Sequence, residues 1–362
     1  MRRPLEWALF AGCGLLLSLA VAAQELDRSA DPAGPPLTLE ETGLYSDFAA
    51  REINPNHLFF SPQYPLWSDG ATKRRWLSLP EGGVIDGSDP DAWVFPIGTR
   101  FWKEFSFDGQ LVETRFMERQ PDGEWLFAAY EWSADGREAR LAPGRGRRDA
   151  YPLEGGRFYA IPSVSDCGVC HKGRPNEVLG FGALQLSADR DPGALHTGPE
   201  LSAGIDLDFL VKHGLIVGLP EQVGAAPPRI AARSAVERAT LGYLHGNCGH
   251  CHNPSGKLTD LDLVLSQSVA FSEQEVLGTT VGQPFHKPPP GLPPEANLRI
   301  VPGQPDRSGL WLRIASRNPA LQMPPLGTQL ADDEAIELLR EWISELPEDD
   351  QATEKNPRKD NP

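Results

Sequence analysis

Residues 243–256 read YLHGNCGHCHNPSG. At their centre Cys248 and Cys251 stand three residues apart, and His252 follows at once. Just upstream, Ser234-Ala235-Val236-Glu237 has the spacing of a capping box. It predicts a helix that opens at Ser234 and runs through Tyr243 and Leu244 into Cys248. Downstream come a proline-rich loop near 284–294, then VPGQPDRSGLWLRIAS (301–316), with Leu310, Trp311 and Ile314 on one helical face. QMPPLG (322–327) follows. A last helix begins near Asp332, where Ile336, Leu339, Trp342, Ile343 and Leu346 recur at helical spacing. Residues 233–346 therefore read as one mainly α domain.

The same signature occurs earlier, as Cys167-Gly168-Val169-Cys170-His171. The chain has five cysteines, and the fifth, Cys13, lies in the N-terminal apolar run. Cys-x-x-Cys-His is the attachment pattern of c-type haem. Two thiols at this spacing can add to the two vinyl groups of one haem, and the histidine then falls under the iron. Two disulfides or one zinc site are the competing uses of four cysteines. Neither accounts for a histidine directly after both pairs. A thioredoxin-like pair has no use for two copies. The expectation is two covalently attached haem c groups.

From 38 to 160 the chain carries strand signals. Asp108-Gly109, Asp122-Gly123 and Asp135-Gly136 are hairpin turns between strand-like runs such as VETRFMER (112–119) and EWLFAAYEW (124–132). Trp67, Trp76, Trp93, Trp102, Trp125 and Trp132 lie here and are read as core. Residues 161–232 hold the first motif and little regular structure, apart from a short helix over Asp206–His213 closed by Gly214. The predicted fold is multidomain α+β. An N-terminal antiparallel β domain leads into a loop-rich haem segment (161–232) and then a mainly α domain.

The first 23 residues read as a secretory signal peptide. Arg2 and Arg3 precede an apolar run from Trp7 to Val21, and Ala20-Val21-Ala22-Ala23 offers the cleavage site. A retained anchor is the alternative, and Cys13 raises the further option of lipidation. No later segment is long and apolar enough to span a bilayer. Residues 24–37 read as a linker and 347–362 as a polar, disordered tail. Net charge is −16, and cleavage would remove Arg2, Arg3 and Glu6 and leave −17. So acidic a chain lacks the basic footprint of a nucleic-acid binder. It suits solubility and steering toward basic redox partners. The expected location is periplasmic or secreted.

His171 and His252 are the expected iron ligands, with Met323 as sixth ligand of the second haem, because a thioether favours reduced iron. For the first haem the sixth ligand stays open among His213, His196, His57, His245 and Met117. His213 leads as a residue at an accessible helix end.

The stretch from Tyr243 onward, with 301–316, QMPPLG and AIELLREWI (335–343), resembles the class I cytochrome c domain of bacterial di-haem c-type cytochromes. Upstream, PQYPLWSDGATKRRWLSLP (62–80), FPIGT (95–99), VETRFM (112–117) and GFGALQLS (180–187) are also similar to that group. The resemblance spans roughly 40–346 and is tightest in the C-terminal third. It implies one haem on Cys248, Cys251 and His252 with Met323 distal, and another on Cys167, Cys170 and His171. The resemblance does not settle the physiological partner; the leading reading is electron transfer from a periplasmic donor to an acceptor protein, carried by the haem edges and by no catalytic side chain. A di-haem peroxidase or a gas-binding sensor, each using an open first haem, is the alternative.

Overall fold

Backbone geometry at one dipeptide sets the plan of the N-terminal half. Asp108 and Gly109 both have positive φ, 48° and 80°. That is what a two-residue hairpin loop needs if its twist is to match the strands it joins. The computed structural model describes residues 34–198, 204–270, 275–286 and 288–347. The expected signal peptide, most of the 24–37 linker and nearly all of the 347–362 tail lie outside them. In chain order, β1 (Tyr45–Asp47) and β2 (Glu52–Ile53) form a small hairpin. Then come β3 (Leu58–Phe59), β4 (Thr72–Ser78), β5 (Ile85–Asp86), β6 (Arg100–Phe107), β7 (Gln110–Arg119), β8 (Trp125–Trp132) and β9 (Ala139–Leu141). All of these except β5 build one antiparallel sheet in the order β3-β4-β6-β7-β8-β9. The expected meander of hairpins is present, and the fold is mixed: antiparallel sheets first, helices after.

The two faces of this sheet do different jobs. Successive side chains point to opposite sides. One face carries Trp76, Trp102, Phe116, Tyr130 and Trp132, buried under Leu39, Leu44 and Tyr45 of the N-terminal segment. Trp102 Nε1 donates to Thr42 Oγ1 and Trp132 Nε1 to Thr114 Oγ1, each at 2.9 Å, so the indoles are buried without losing their hydrogen bonds. The opposite face carries Leu77, Phe101, Met117 and Trp125 and packs on Phe60, Val178 and Phe181. Of the six tryptophans read as core, five are buried; Trp67 is only partly so and stands in a cavity wall.

A second hairpin, β10 (Arg147–Pro152) and β11 (Phe158–Ile161), leads into α1 (Val164–His171). Where sequence suggested little regular structure, Ser163 and Asp166 form a reciprocal capping box that starts this helix. The helix ends on His171. α2 (Leu207–Lys212) is the expected short helix, with Asp206 as N-cap and Gly214 at φ 66° just past its end. β12 (Ile216–Val217) pairs in parallel with β5, which no local sequence signal announced. α3 (Glu221–Ala225) follows.

α4 (Ala235–Asn247) begins where Ser234 Oγ accepts the Glu237 N–H at 3.1 Å. The Glu237 carboxylate does not close the box. It takes the Arg233 N–H, the Arg233 guanidinium and Trp342 Nε1 instead. α5 (Glu275–Thr280), α6 (Gly309–Ala315) and α7 (Asp333–Glu345) complete the chain. Leu241, Leu244, Leu310, Ile314, Leu339, Trp342 and Ile343 share one core, joined by Tyr64 and Leu184 from far upstream. The helical part thus interlocks with the segment before it. Trp67 N–H donates to Asn247 Oδ1 at 2.6 Å, and Tyr64 OH donates to Asp191 at 3.0 Å. Among the described residues no helix is long and apolar enough to cross a membrane.

Candidate haem-binding site

The first motif occupies the whole second half of α1. His171 is partly buried against the sheet, its ring 4.8 Å from that of Phe127 on β8. Its Nδ1 lies 2.6 Å from the carbonyl oxygen of Glu177. That hydrogen bond fixes the tautomer and leaves Nε2 as the free lone pair, which is how an iron-ligating imidazole is held. Burial pushes the His171 pKa down to about 4, so the ring is neutral, as a ligand must be.

The second motif begins where α4 stops. Cys248 is the C-cap, and its N–H donates to Leu244 O at 2.9 Å. His252 is buried, and burial pushes its pKa down to about 4 as well. Its Nδ1 has no hydrogen-bond partner among the described residues, and neither does Nδ1 of the adjacent His250. Buried ring nitrogens rarely go unsatisfied.

The two motifs touch. Asn253 Nδ2 donates to Gly173 O at 2.9 Å. A Cβ at position 173 would collide with the His250 carbonyl oxygen, so only glycine permits this approach. Among the described residues the four motif cysteines form no disulfide. Burial, and next the neighbouring Cys251, push Cys170 up to about 11; the same two causes push Cys248 to about 12. A working dithiol pair needs the opposite shift. Among the described residues no group of three or more His, Cys, Asp or Glu side chains is placed to hold a metal ion, so the four thiols do not converge on a zinc site.

A cavity of about 720 Å³ lies between the sheet, α1 and the loop at 323–329. Cys167, Cys170 and His171 line it, with Phe101, Met117 and Phe127 from the sheet and Met323 from the C-terminal loop. A narrower hollow of about 70 Å³ shares Cys248, His250 and Met323 with it and reaches Cys251, His252, Leu265, Leu310 and Ile314. His252 and Met323 therefore line one hollow. Met323 is set there by α6: its N–H donates to Arg313 O at 3.0 Å.

These residues fit haem. Neutral imidazoles, paired thiols and a thioether face space walled by aromatic and aliphatic side chains. Of the expected sixth ligands for the first haem, Met117 alone lines the larger cavity. It lies directly opposite Phe127 in the sheet register, on the side facing His171. His213 lines neither cavity. Its ring stacks on Phe209 at 4.0 Å, and its Nδ1 lies 2.9 Å from Phe209 O. His57 stacks on Trp102 on the far face of the sheet, with Nε2 2.8 Å from Gly43 O. His196 pairs with Asp332 at 2.8 Å. Nδ1 of His245 accepts the Gln267 N–H at 2.9 Å, holding the loop beside the second motif.

Sequence reasoning missed the cations of the sheet. Arg75, Lys103 and Arg115 line the larger cavity from three neighbouring strands. Each reads as an ordinary strand cation facing solvent until strand pairing puts the three side by side.

Residues 294–327 match the family model described as Planctomycete cytochrome C. The matched stretch carries Met323 and ends before α7. It supports a C-terminal region of cytochrome c type and, with it, a haem electron-transfer role. No curated protein and no solved structure matches the chain.

Proposed function

We propose that this chain is an exported di-haem c-type cytochrome that relays electrons between redox proteins. The observation that carries the reading is the packing of Gly173 against His250 and Asn253, which sets the two Cys-x-x-Cys-His motifs side by side. Haem iron, once attached, supplies the one-electron chemistry. The chain's residues do the rest. Cys167 and Cys170 tether one group and Cys248 and Cys251 the other. His171 and His252 present neutral nitrogens to the irons, the first oriented by Glu177 O. Met323 would serve the iron at the second site and Met117 the iron at the first. Thioether together with imidazole ligation would raise the potential and close the iron to small molecules. The acidic surface would favour basic donor and acceptor proteins in the periplasm. No side chain acts as a catalyst.

The test is to count haem. The exported chain should carry two haem c groups by pyridine haemochrome and intact mass. Cys167→Ala with Cys170→Ala should leave one, and Cys248→Ala with Cys251→Ala should also leave one. A wild-type chain with one haem, or none, contradicts the reading.

A further inference from the structure

Arg75 on β4 lies directly opposite Lys103 on β6, and Lys103 directly opposite Arg115 on β7. The three point to one face of the sheet and line the larger cavity. Like charges directly opposite one another oppose strand pairing. A buried charge is normally met by a partner. Arg115 has one: the Glu113 carboxylate accepts from its Nε at 2.8 Å and its Nη2 at 3.0 Å. Arg75 is 5% exposed, and its guanidinium makes no hydrogen bond or ion pair with any described residue. Lys103 has its Nζ 4.8 Å over the Phe105 ring and, among the described residues, no carboxylate within ion-pair distance. A guanidinium does not escape by losing its proton.

The acids around the cavity are already engaged. Asp69 accepts the N–H groups of Gln329 and Leu330 at 2.7 and 2.9 Å. Asp166 accepts the N–H and hydroxyl of Ser163. The protein therefore offers no anion to the Arg75–Lys103 pair. One step along the same strands, two residues or about 7 Å away, Phe101 and Met117 form an apolar row that Phe127 continues. Apolar row beside cationic row is the imprint of a flat ligand with an apolar body and a carboxylate edge.

We propose that Arg75 and Lys103 form a carboxylate-binding site, and that its ligands are the propionates of the haem attached at Cys167 and Cys170. The inference rests on the haem reading of that motif. Arg75 engages a carboxylate through its planar fork and Lys103 through a single ammonium. The pair would also add positive charge to the haem's surroundings, which favours the reduced state. A free small carboxylate is the other source of the same chemistry.

The experiment uses the full-length holoprotein, with two haems verified by pyridine haemochrome. Arg75→Gln and Lys103→Gln are compared with Arg75→Lys by redox titration and by the propionate bending mode in resonance Raman. Wild type is also titrated with acetate. The glutamine variants should lower the potential of one haem only and shift its propionate mode. Arg75→Lys should retain most of both properties even if Arg75→Gln folds poorly. Acetate should leave the wild-type spectrum unchanged. Unchanged potentials and modes in both glutamine variants would overturn the site. A saturable acetate response that Arg75→Gln abolishes would overturn the propionate assignment in favour of a free anion. A wild-type chain lacking haem at the first motif overturns the haem reading itself, a separate result.

Discussion

Met117 illustrates what a single residue's sequence context conceals. Within VETRFM it is one apolar position in an alternating strand, and nothing local distinguishes it from core filler. Pairing with β8 sets it opposite Phe127, whose ring contacts His171. His213 drew attention for a local reason, its place at the end of a helix, yet that same end occupies its ring with Phe209. The proposed attachment cysteines and their histidines stand out in sequence because haem attachment is a chemistry of neighbours in sequence. Met117, the sixth ligand proposed for the first haem, is not local to the motif, so spacing could not single it out. Met117→Leu preserves volume and costs less than about 1.5 kcal/mol of packing. It should nonetheless make one haem high-spin in the ferric state and carbon monoxide-reactive in the ferrous state. If Met117→Leu stays fully low-spin while a His250 variant opens, the ligand is His250.

Individual elements were read with uneven success. The Asp-Gly hairpins and the closing amphipathic helix were plain, because turn chemistry and periodicity are written in consecutive residues. α1 was missed although its Ser163–Asp166 box is a local signal; the motif's glycine and the glycine-rich segment after it hid eight helical residues. The β5–β12 pairing, between Ile85 and Ile216, had no local signal to find. The turn after α1 carries the most specific demand. Gly173 lets the two motifs approach, and a side chain there meets the backbone of the second motif. Gly173→Ala should cost about 1–3 kcal/mol in thermal unfolding by overpacking. It should also weaken the interaction between the two haems in redox titration or electron paramagnetic resonance. An unchanged coupling would separate the close approach of the motifs from electron exchange.

At the scale of the molecule, the β-rich half and the helical half divide the work at the larger cavity. The sheet contributes Met117, Phe127 and the cationic row; α1 contributes thiols and imidazole; the C-terminal loop contributes Met323. The β domain read from sequence is thus one wall of the cavity that holds the first motif. Sequence pointed to two haems in one acidic exported chain, but the closeness of their motifs depends on contacts such as Asn253–Gly173, 80 positions apart. The most direct measurement of the central claim is the absorption spectrum of the two-haem protein, oxidised and dithionite-reduced, before and after carbon monoxide. Two low-spin haems whose reduced spectra ignore carbon monoxide are predicted, since the proposed ligands of both irons are histidine and methionine. A high-spin haem that binds carbon monoxide in the wild type would contradict closed electron-transfer sites and turn the first cavity into a place for peroxide or gas chemistry.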